Sequence, residues 1–258
     1  MITRDTFLQV VLPVFNEAGS IERTLRELHS TLSLFARVEF VVCEDGSTDG
    51  TREILKRLAS ELPLKLEFAS SRRGYSRAII DGWRQCTAPY VLCMDSDGQC
   101  DPTDFKAFVP AAAPGVAVFG WRRKRQDVLA RRIMSGLFKW CYRIITRVPM
   151  RDPSCPFILI SKPGIDYLLA IPTLGICWLG FWWEVAARLH RAGMHVVEIG
   201  VNHRRRAAGR TQIYRPSRLA GIFFGHLGAI IRIAREPIPP LTVRPGQTAL
   251  EDTTGTRS

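Results

Sequence analysis

Short apolar runs alternate with amphipathic helical patterns through the first hundred residues, and this alternation restricts the fold more than any other feature. The apolar runs predict strands at residues 7–14, 38–43, 64–69 and 90–94. Apolar residues at helical spacing predict helices at residues 20–35, 51–62 and 76–86. Strands that alternate with helices form mainly parallel sheets flanked by helices, so we expect an α/β fold.

The second half is less regular. It predicts strands at residues 116–120, 157–161 and 195–201, and helices at residues 128–147, near Ile165, near Phe181 and at residues 217–235. The last helix is punctuated by His226 and Arg232 and is shorter than the ~20 apolar residues that span a bilayer, so we expect no transmembrane segment. Proline, threonine and glycine mark residues 236–258 as a flexible tail after a single domain of residues 1–235.

Two carboxylates follow the fourth predicted strand directly, in the order Asp95, Ser96, Asp97. An isolated pair of this spacing is more often a polar turn, but open parallel sheets bind ligands beyond the carboxyl ends of their strands. Asp101 and Pro102 then begin a helix with an N-cap acceptor and a proline at the first helical position. Mg²⁺ prefers oxygen ligands and keeps positions for water and phosphate oxygens. The pair therefore indicates a divalent metal that binds with a nucleoside diphosphate.

The charge of the chain indicates an anionic partner. Lys and Arg number 36 against 24 Asp and Glu, a formal charge of +12, which favours phosphates, nucleic acid or an anionic membrane surface. The seven cysteines are odd in number, form no C-x-x-C pair and lie mostly in apolar segments, which is typical of buried thiols in a reducing compartment. No apolar stretch of signal-peptide length precedes the first strand, so we expect a cytoplasmic protein.

Three segments together carry a family resemblance: VLPVFNE at residues 11–17, EDGSTDGT at 44–51 and DSDGQ at 95–99. In this order they resemble family 2 glycosyltransferases of the GT-A fold, with a Rossmann-like sheet and, here, C-terminal amphipathic helices. Later segments resemble the dolichol-phosphate mannosyltransferase and polyprenyl-phosphate glycosyltransferase branch: GWR at 120–122, DPSCPF at 152–157, and Arg206, Gly209 and Thr211 in an R-x-x-G-x-T pattern. Each motif alone is weak, whereas the ordered series over residues 7–215 is strong.

The resemblance implies a nucleotide-sugar half at about residues 1–125 and an acceptor half at about 126–235. The residues implied to bind the donor nucleotide sugar are Pro13, Phe15, Glu17, Glu44, Asp45, Asp95, Ser96, Arg122, Arg206 and Gln212. An apolar ring and a carboxylate suit a nucleobase and its polar edge, and Asp45 would accept from base or ribose. Taken singly, Phe15 fits a core position, Glu17 a solvated charge and Asp45 a turn. Glu44 stands where relatives commonly have Asp, and Gln212 where some have Lys.

The implied cofactor is Mg²⁺ or Mn²⁺, with Asp97 as a direct ligand, Asp95 shared between metal and ribose, and Gln99 as a further oxygen ligand. The implied catalytic residues are Asp97, Asp152 and Arg206. Guanidinium groups match phosphate oxygens, so Arg122 and Arg206 would bind the diphosphate. Arg131 or Arg132 would contact the acceptor phosphate. For two acceptor-half carboxylates a structural part is as plausible: Asp152 pairing with an arginine and Glu184 packing under a loop.

The implied reaction is an inverting displacement that moves a hexose from a GDP-mannose or UDP-glucose type of donor to a polyprenyl or dolichyl phosphate. An anionic phosphate nucleophile needs no strong general base, whereas a hydroxyl acceptor does. Two alternatives stay open: a family 2 enzyme acting on a hydroxyl of a lipid, glycan or small molecule, and a basic nucleic-acid-binding protein. Against the second, the chain has no recognised nucleic-acid motif, and we expect no nucleic-acid partner.

The basic and apolar second half suits a lipid acceptor. Helical segments at residues 134–147 and 219–235 alternate arginines with Ile, Leu, Phe and Trp, a composition typical of helices in a membrane interface. An ordinary core with solvated charges would have the same composition. We expect a peripheral protein on the inner face of a membrane, bound to its anionic surface.

Overall fold

The computed structural model describes residues 2–123, 129–177, 180–204 and 219–237, with the backbone alone for residues 129–135 and 219–223. Within these ranges the chain forms a sheet of seven strands in the order β3-β2-β1-β4-β6-β5-β7. The strands are β1 Phe7–Val14, β2 Arg37–Glu44, β3 Leu64–Phe68, β4 Tyr90–Cys93, β5 Val116–Arg122, β6 Ile158–Ser161 and β7 His195–Val201. The helices are α1 Ile21–Leu32, α2 Thr51–Leu58, α3 Tyr75–Arg84, α4 Phe105–Phe108, α5 Leu129–Thr146, α6 Lys162–Leu169, α7 Phe181–Arg191 and α8 Leu219–Arg235.

The sheet is mainly parallel, which confirms the α/β prediction. β1 lies parallel between β2 and β4, β3 pairs parallel with β2, and β7 pairs parallel with β5. β6 is the antiparallel member and joins β4 to β5. The carboxyl ends of the other six strands therefore meet at one edge of the sheet, where ligands of such sheets bind.

Helices cover both faces of the sheet, so the five inner strands are largely buried and mainly apolar, whereas the edge strands β3 and β7 are only partly buried. Alternate residues of β1 show the division. Leu8, Val10 and Leu12 pack toward α1, α2 and α4, whereas Val11 packs toward the face covered by α3 and the helices of the second half. Successive side chains of a strand point to opposite faces, so each inner strand packs into both cores. This packing on both faces fixes the register of the strands.

The predicted helix start at Asp101 is confirmed, although the element is short. The Asp101 carboxylate accepts from the backbone amide of Thr103 at 3.0 Å, and Pro102 occupies the first position. A 3₁₀ turn of three residues follows and leads into the four residues of α4.

Glu236, where the tail was expected to begin, is held by the fold. Its carboxylate accepts from Arg188 Nη1 at 3.0 Å and from Thr173 Oγ1 at 2.6 Å, and its backbone carbonyl accepts from Arg191 Nη2 at 2.8 Å. The folded part therefore extends through Glu236, and residues 238–258 of the expected tail lie outside the described residues. No helix in the described ranges has the length and apolar character needed to cross a bilayer.

The seven cysteines are free thiols, as the sequence predicted. Six are buried, and Cys141 is partly exposed. Burial raises the pKa of Cys86 and of Cys177 to about 12, which keeps these thiols protonated and unreactive at neutral pH.

Candidate active site

The carboxylate turn, residues 95–98, lies beyond the end of β4 and is tied to the neighbouring strand β1. Met94 extends the pairing through its backbone amide, which donates to the Val11 carbonyl at 3.2 Å, and Ser96 Oγ donates to the Pro13 carbonyl at 2.8 Å. The predicted residues Pro13 and Ser96 therefore hold the carboxylate turn against the end of β1.

The turn is closed by Gly98, whose φ of +72° suits glycine. A Cβ at this position would approach Thr24 Oγ1 to 3.2 Å. The buried Asp97 accepts from the backbone amide of Gln99 through Oδ1 at 3.0 Å. This hydrogen bond fixes the Asp97 carboxylate relative to the turn that carries it.

The other carboxylate, Asp95, receives a hydrogen bond from outside the turn. Tyr75, the first residue of α3, donates its hydroxyl to Asp95 Oδ1 at 2.7 Å, and the same hydroxyl accepts from Trp182 Nε1 at 2.9 Å. Burial of the hydroxyl and the adjacent Asp95 charge raise the Tyr75 pKa well above its ordinary value. Tyr75 therefore stays protonated and donates to Asp95 at neutral pH.

The chemistry of these donors fits a hard divalent cation. In the described part of the chain no group of three or more His, Cys, Asp and Glu is placed to hold a metal. Two carboxylates one residue apart, with the amide of Gln99 beside them, suit Mg²⁺ or Mn²⁺ that takes its remaining ligands from water and phosphate. The Gln99 amide nitrogen donates to the Arg204 carbonyl at 3.2 Å, so the amide oxygen is the atom it would offer to a metal.

Phe15 and Glu17 lie beyond the end of β1, beside the carboxylate turn. The Arg72 guanidinium covers the Phe15 ring at 4.0 Å from its centroid, so Phe15 is half-buried under a cation and does not belong to the apolar core. Glu17 is buried and accepts from Ser20 Oγ at 2.6 Å, which rules out the solvated-charge alternative for this carboxylate.

Asp45, at the end of β2, holds the loop that carries Arg72. Its carboxylate accepts from the backbone amides of Arg73 at 2.6 Å and Gly74 at 2.9 Å. The loop approaches Gly46 so closely that a Cβ at this position would lie 2.7 Å from the Arg72 backbone nitrogen. The φ of Gly46, +79°, also favours glycine. Asp45 thus fixes the loop that carries Arg72 beside Phe15. The sequence did not indicate this role for Asp45.

Glu44, which the resemblance places in the donor-binding set, is held by protein partners in the turn after β2. Its side chain is fully buried and binds Arg52 Nε at 2.5 Å and the backbone amide of Ser47. These contacts use the carboxylate to stabilise the turn after β2, and donor binding by Glu44 stays a prediction.

Arg122 and Asp152 form a buried ion pair, which is the structural alternative for Asp152. Arg122 Nε donates to Oδ2 at 2.7 Å and Nη2 donates to Oδ1 at 2.9 Å, while Nη2 also reaches Ser154 Oγ at 2.8 Å. Burial alone would lower the pKa of Arg122, but the Asp152 carboxylate more than offsets this and raises it. The guanidinium predicted to bind phosphate is therefore already bound to a carboxylate.

Glu184 also makes the contacts expected from its structural alternative. It is fully buried at the start of α7, where it accepts from the amides of Gly175 at 3.1 Å and Cys177 at 2.9 Å and from Arg188 Nε at 2.8 Å. These bonds hold the loop before α7, as the alternative of packing under a loop predicts.

The chain leaving β7 runs beside the carboxylate turn. His203 forms a bridge with Cys100, and the Arg204 amide donates to the Gln99 carbonyl at 2.8 Å. The Arg204 side chain binds Glu27 at 2.6 Å and Asp101 at 2.9 Å. Residues Arg206, Gly209, Thr211 and Gln212, like the side chains of Arg131 and Arg132, lie outside the described part of the chain.

Three residues that sequence reasoning missed are Arg72, Tyr75 and Trp182. Arg72 contacts Phe15, Tyr75 contacts Asp95, and Trp182 contacts Tyr75, so these contacts join segments that are far apart in the chain. The one local signal was Gly74, which precedes an aromatic residue at the start of a helix beyond the carboxyl end of a strand.

The fold is shared with solved glycosyltransferases. A mannosyltransferase from Pyrobaculum calidifontis in complex with GDP-Man and Mn²⁺ superimposes with a TM-score of 0.60 at 18% identity, covering 91% of this chain and 75% of that one. Glucosyl-3-phosphoglycerate synthase from Mycobacterium tuberculosis, in complex with Mn²⁺, UDP-glucose and phosphoglyceric acid, gives 0.59 at 20% identity, covering 90% and 81%. These likenesses confirm the GT-A fold.

Curated relatives are similar in sequence. Undecaprenyl-phosphate 4-deoxy-4-formamido-L-arabinose transferase of Pseudomonas syringae pv. syringae is 30% identical over 229 residues, which cover 84% of this chain and 64% of the relative. The protein of that name from Pseudomonas aeruginosa strain LESB58 is 30% identical over 228 residues, with 84% and 63% covered. The chain thus matches just under two thirds of the length of these relatives.

The family model described as Glycosyl transferase family 2 matches residues 9–158, more than half of the 258 residues. The matched segment contains the ends of β1, β2 and β4, on which Phe15, Asp45 and the carboxylate turn lie. The resemblance seen in the motifs is confirmed, and the chain belongs to glycosyl transferase family 2.

Proposed function

We propose that this chain is an inverting glycosyltransferase that moves a sugar from a nucleoside-diphosphate donor to a polyprenyl phosphate at a membrane surface. The observation that carries the proposal is the convergence of Phe15, Asp45, Asp95 and Asp97 on one edge of the sheet, inside the segment that matches the family. An aromatic face, a base-side carboxylate and a metal-binding turn at one edge are what a nucleotide sugar requires.

The donor nucleotide binds beyond the ends of β1 and β2. The base stacks at Phe15, where the Arg72 guanidinium now lies 4.0 Å from the ring centroid, so Arg72 either covers the base or moves aside for it. Asp45 fixes the loop that carries Arg72, and Glu17 offers a buried carboxylate at the rim of the pocket.

The diphosphate binds at the carboxylate turn, where Asp97, Asp95 and Gln99 would hold Mg²⁺ or Mn²⁺. The ion supplies positive charge that offsets the negative charge developing on the leaving nucleoside diphosphate. Arg206 follows Arg204, whose side chain is already bound to Glu27 and Asp101, and is the guanidinium assigned to the diphosphate. Arg122 reaches phosphate only by sharing or leaving its pair with Asp152.

The contacts of the two candidate bases in the acceptor half, Asp152 and Glu184, favour a phosphate nucleophile over a hydroxyl. A hydroxyl acceptor needs a base within hydrogen-bond reach, but Glu184 is fully buried among its partners and Asp152 is paired with Arg122. An anionic phosphate oxygen attacks without such a base. The printed names of the relatives, undecaprenyl-phosphate transferases, support the same acceptor class.

Two observations bear on which sugar is transferred: the sequence motifs and the name of the relatives. The motifs favour a hexose carried by a donor of the GDP-mannose or UDP-glucose type, while the relatives' name adds 4-deoxy-4-formamido-L-arabinose as a further class to test. A nucleoside-diphosphate donor of any of these sugars would carry the diphosphate for which the carboxylate turn is proposed.

The product identifies both substrates in one experiment. The full chain is incubated with undecaprenyl phosphate in detergent, Mn²⁺ and each donor in turn, and the lipid fraction is analysed by mass spectrometry before and after mild acid. We expect a sugar-phosphate lipid whose sugar mild acid releases. Asp97→Asn abolishes the product, whereas Asp166→Asn, a change at an exposed carboxylate of α6, does not. An acid-stable glycoside would instead identify a hydroxyl acceptor.

A face of α5 is suited to the membrane surface that presents such an acceptor. Leu137, Trp140 and Ile144 lie along one side of the helix and are 48%, 62% and 58% exposed. Arg143 and Arg147 are exposed beside them. Apolar side chains flanked by cations are typical of helices that lie in an anionic membrane interface, here the inner, cytoplasmic face.

Vesicle binding tests this surface. Trp140→Glu and Ile144→Glu should each weaken cosedimentation with vesicles of phosphatidylglycerol and phosphatidylethanolamine, because a carboxylate replaces apolar contact and repels anionic lipid. Leu34→Glu is the matched control, since Leu34 is 57% exposed at the end of α1, on the opposite face of the sheet. Equal binding by all three variants would contradict the assignment of α5.

A further inference from the structure

Tyr75 connects three separate parts of the fold through its hydroxyl. It begins α3, donates to Asp95 Oδ1 of the carboxylate turn at 2.7 Å and accepts from Trp182 Nε1 of α7 at 2.9 Å. Because an indole N–H only donates, it orients the phenol so that its proton points to the carboxylate. The hydroxyl therefore has a defined direction.

The aromatic contacts around Trp182 keep this arrangement rigid. Trp182 is buried and packs against Trp83 at 6.2 Å and Phe181 at 5.2 Å between ring centroids. The Tyr75 ring meets Trp182 edge-on at 6.3 Å and keeps 38% of its surface exposed. The Tyr75 ring is therefore partly exposed, while its hydroxyl is held by the hydrogen bonds to Asp95 and Trp182.

We propose that Tyr75 is a positioning residue that holds the Asp95 carboxylate in the orientation needed by the metal and the donor diphosphate, with Trp182 fixing the Tyr75 hydroxyl. The proposal rests on the proposed function, in which Asp95 helps to hold the metal that binds the donor diphosphate. Outer partners that orient metal ligands affect metal affinity strongly, since a ligand free to rotate loses its preorganisation.

The arrangement also makes the donor site depend on the acceptor half. Trp182 belongs to α7, which follows the loop held by Glu184, whereas Asp95 follows β4 in the donor half. A displacement of the first turn of α7 would therefore move Trp182 and, through the Tyr75 side chain, shift the Asp95 carboxylate. Tyr75 is the physical link between these two elements.

The test removes single hydrogen bonds and measures the metal-linked part of nucleotide binding. Tyr75→Phe deletes the hydroxyl and keeps the ring, and Trp182→Phe deletes the indole donor. Tyr167→Phe is the matched control, because the Tyr167 hydroxyl of α6 is buried with no hydrogen-bond partner among the described residues. GDP and UDP are titrated into each full-length variant by calorimetry with Mn²⁺ and with EDTA, and each melting temperature is recorded.

We expect Tyr75→Phe to weaken Mn²⁺-dependent nucleotide binding about tenfold. Trp182→Phe should act in the same direction by a smaller factor, and Tyr167→Phe should leave binding unchanged. Affinity measured in EDTA should not differ between wild type and Tyr75→Phe, because the nucleoside contacts are intact. Tyr75→Phe binding like wild type, or losing affinity equally with and without Mn²⁺, would overturn the positioning part. Absence of nucleotide binding by wild type would instead overturn the proposed function on which it rests.

Discussion

The pair of Arg122 and Asp152 predicts a large structural contribution of Asp152, which stability measurements test directly. The two side chains are 13% and 8% exposed and share two hydrogen bonds of 2.7 and 2.9 Å. Removing one partner of a buried pair leaves the other charge uncompensated, which costs about 3–5 kcal/mol. We therefore expect Asp152→Ala to lower the free energy of unfolding by about that amount.

Arg122→Met should cost less, because Asp152 keeps its contacts with Ser154 Oγ and the Arg122 backbone amide. The double variant buries no unpaired charge, so its loss should be about 2–3 kcal/mol smaller than the sum of the two single losses. Urea unfolding followed by tryptophan fluorescence measures all four proteins.

The exposed pair of Lys162 and Asp166 provides the control cycle. Its members are 29% and 55% exposed in successive turns of one helix, where coupling is typically about 0.5 kcal/mol. Single losses at Arg122 and Asp152 that add to within about 0.5 kcal/mol would refute the argument, because independent sites behave in that way.

Three further predictions concern the pocket loop and the second-half core. Asp45→Ala removes the acceptor of two backbone amides and should destabilise the protein by about 2–4 kcal/mol in urea unfolding and weaken nucleotide binding, since the loop carrying Arg72 is released. Gly46→Ala should lower both properties in the same assays, because φ is +79° and the new Cβ would meet the Arg72 nitrogen at 2.7 Å. Burial lowers the pKa of His226 from 6.5 to about 4. Between these two pH values, the unfolded chain therefore binds a proton at His226 that the folded protein does not bind. Stability should therefore fall by up to about 3 kcal/mol as pH drops from 6.5 to 4, and His226→Phe should flatten that part of the pH profile.

The inner strands were predictable because their burial on both faces makes them apolar runs. β1 matches its predicted bounds, and β2 extends one residue further at each end than predicted. The added residues, Arg37 and Glu44, pair with Phe7 and Val14 in the ladder, so backbone pairing and not polarity sets these ends. The antiparallel direction of β6 was not predictable, since periodicity gives no strand direction.

The candidate site was predictable in its position but not in its internal partners. A strand end followed by two carboxylates predicted Asp95 and Asp97 at the carboxyl edge of the sheet, where the structure has them. The engagement of Glu44 with Arg52 and of Arg122 with Asp152 depends on packing, which no local pattern encodes. The same holds for Tyr75, whose partners Asp95 and Trp182 lie 20 and 107 residues along the chain.

The most direct test of the account is the metal-dependent binding of nucleoside diphosphates at Asp97. Thermal unfolding of the wild type and of Asp97→Asn is followed with GDP and with UDP, each with Mn²⁺ and with EDTA. A ligand at a hundred times its Kd stabilises the folded state by about 2.7 kcal/mol, so a clear rise in Tm is expected for the wild type with Mn²⁺. Asp97→Asn should lose that rise. Equal stabilisation of both proteins, or none of the wild type by either nucleotide with Mn²⁺, would contradict a metal-bound diphosphate at the carboxylate turn.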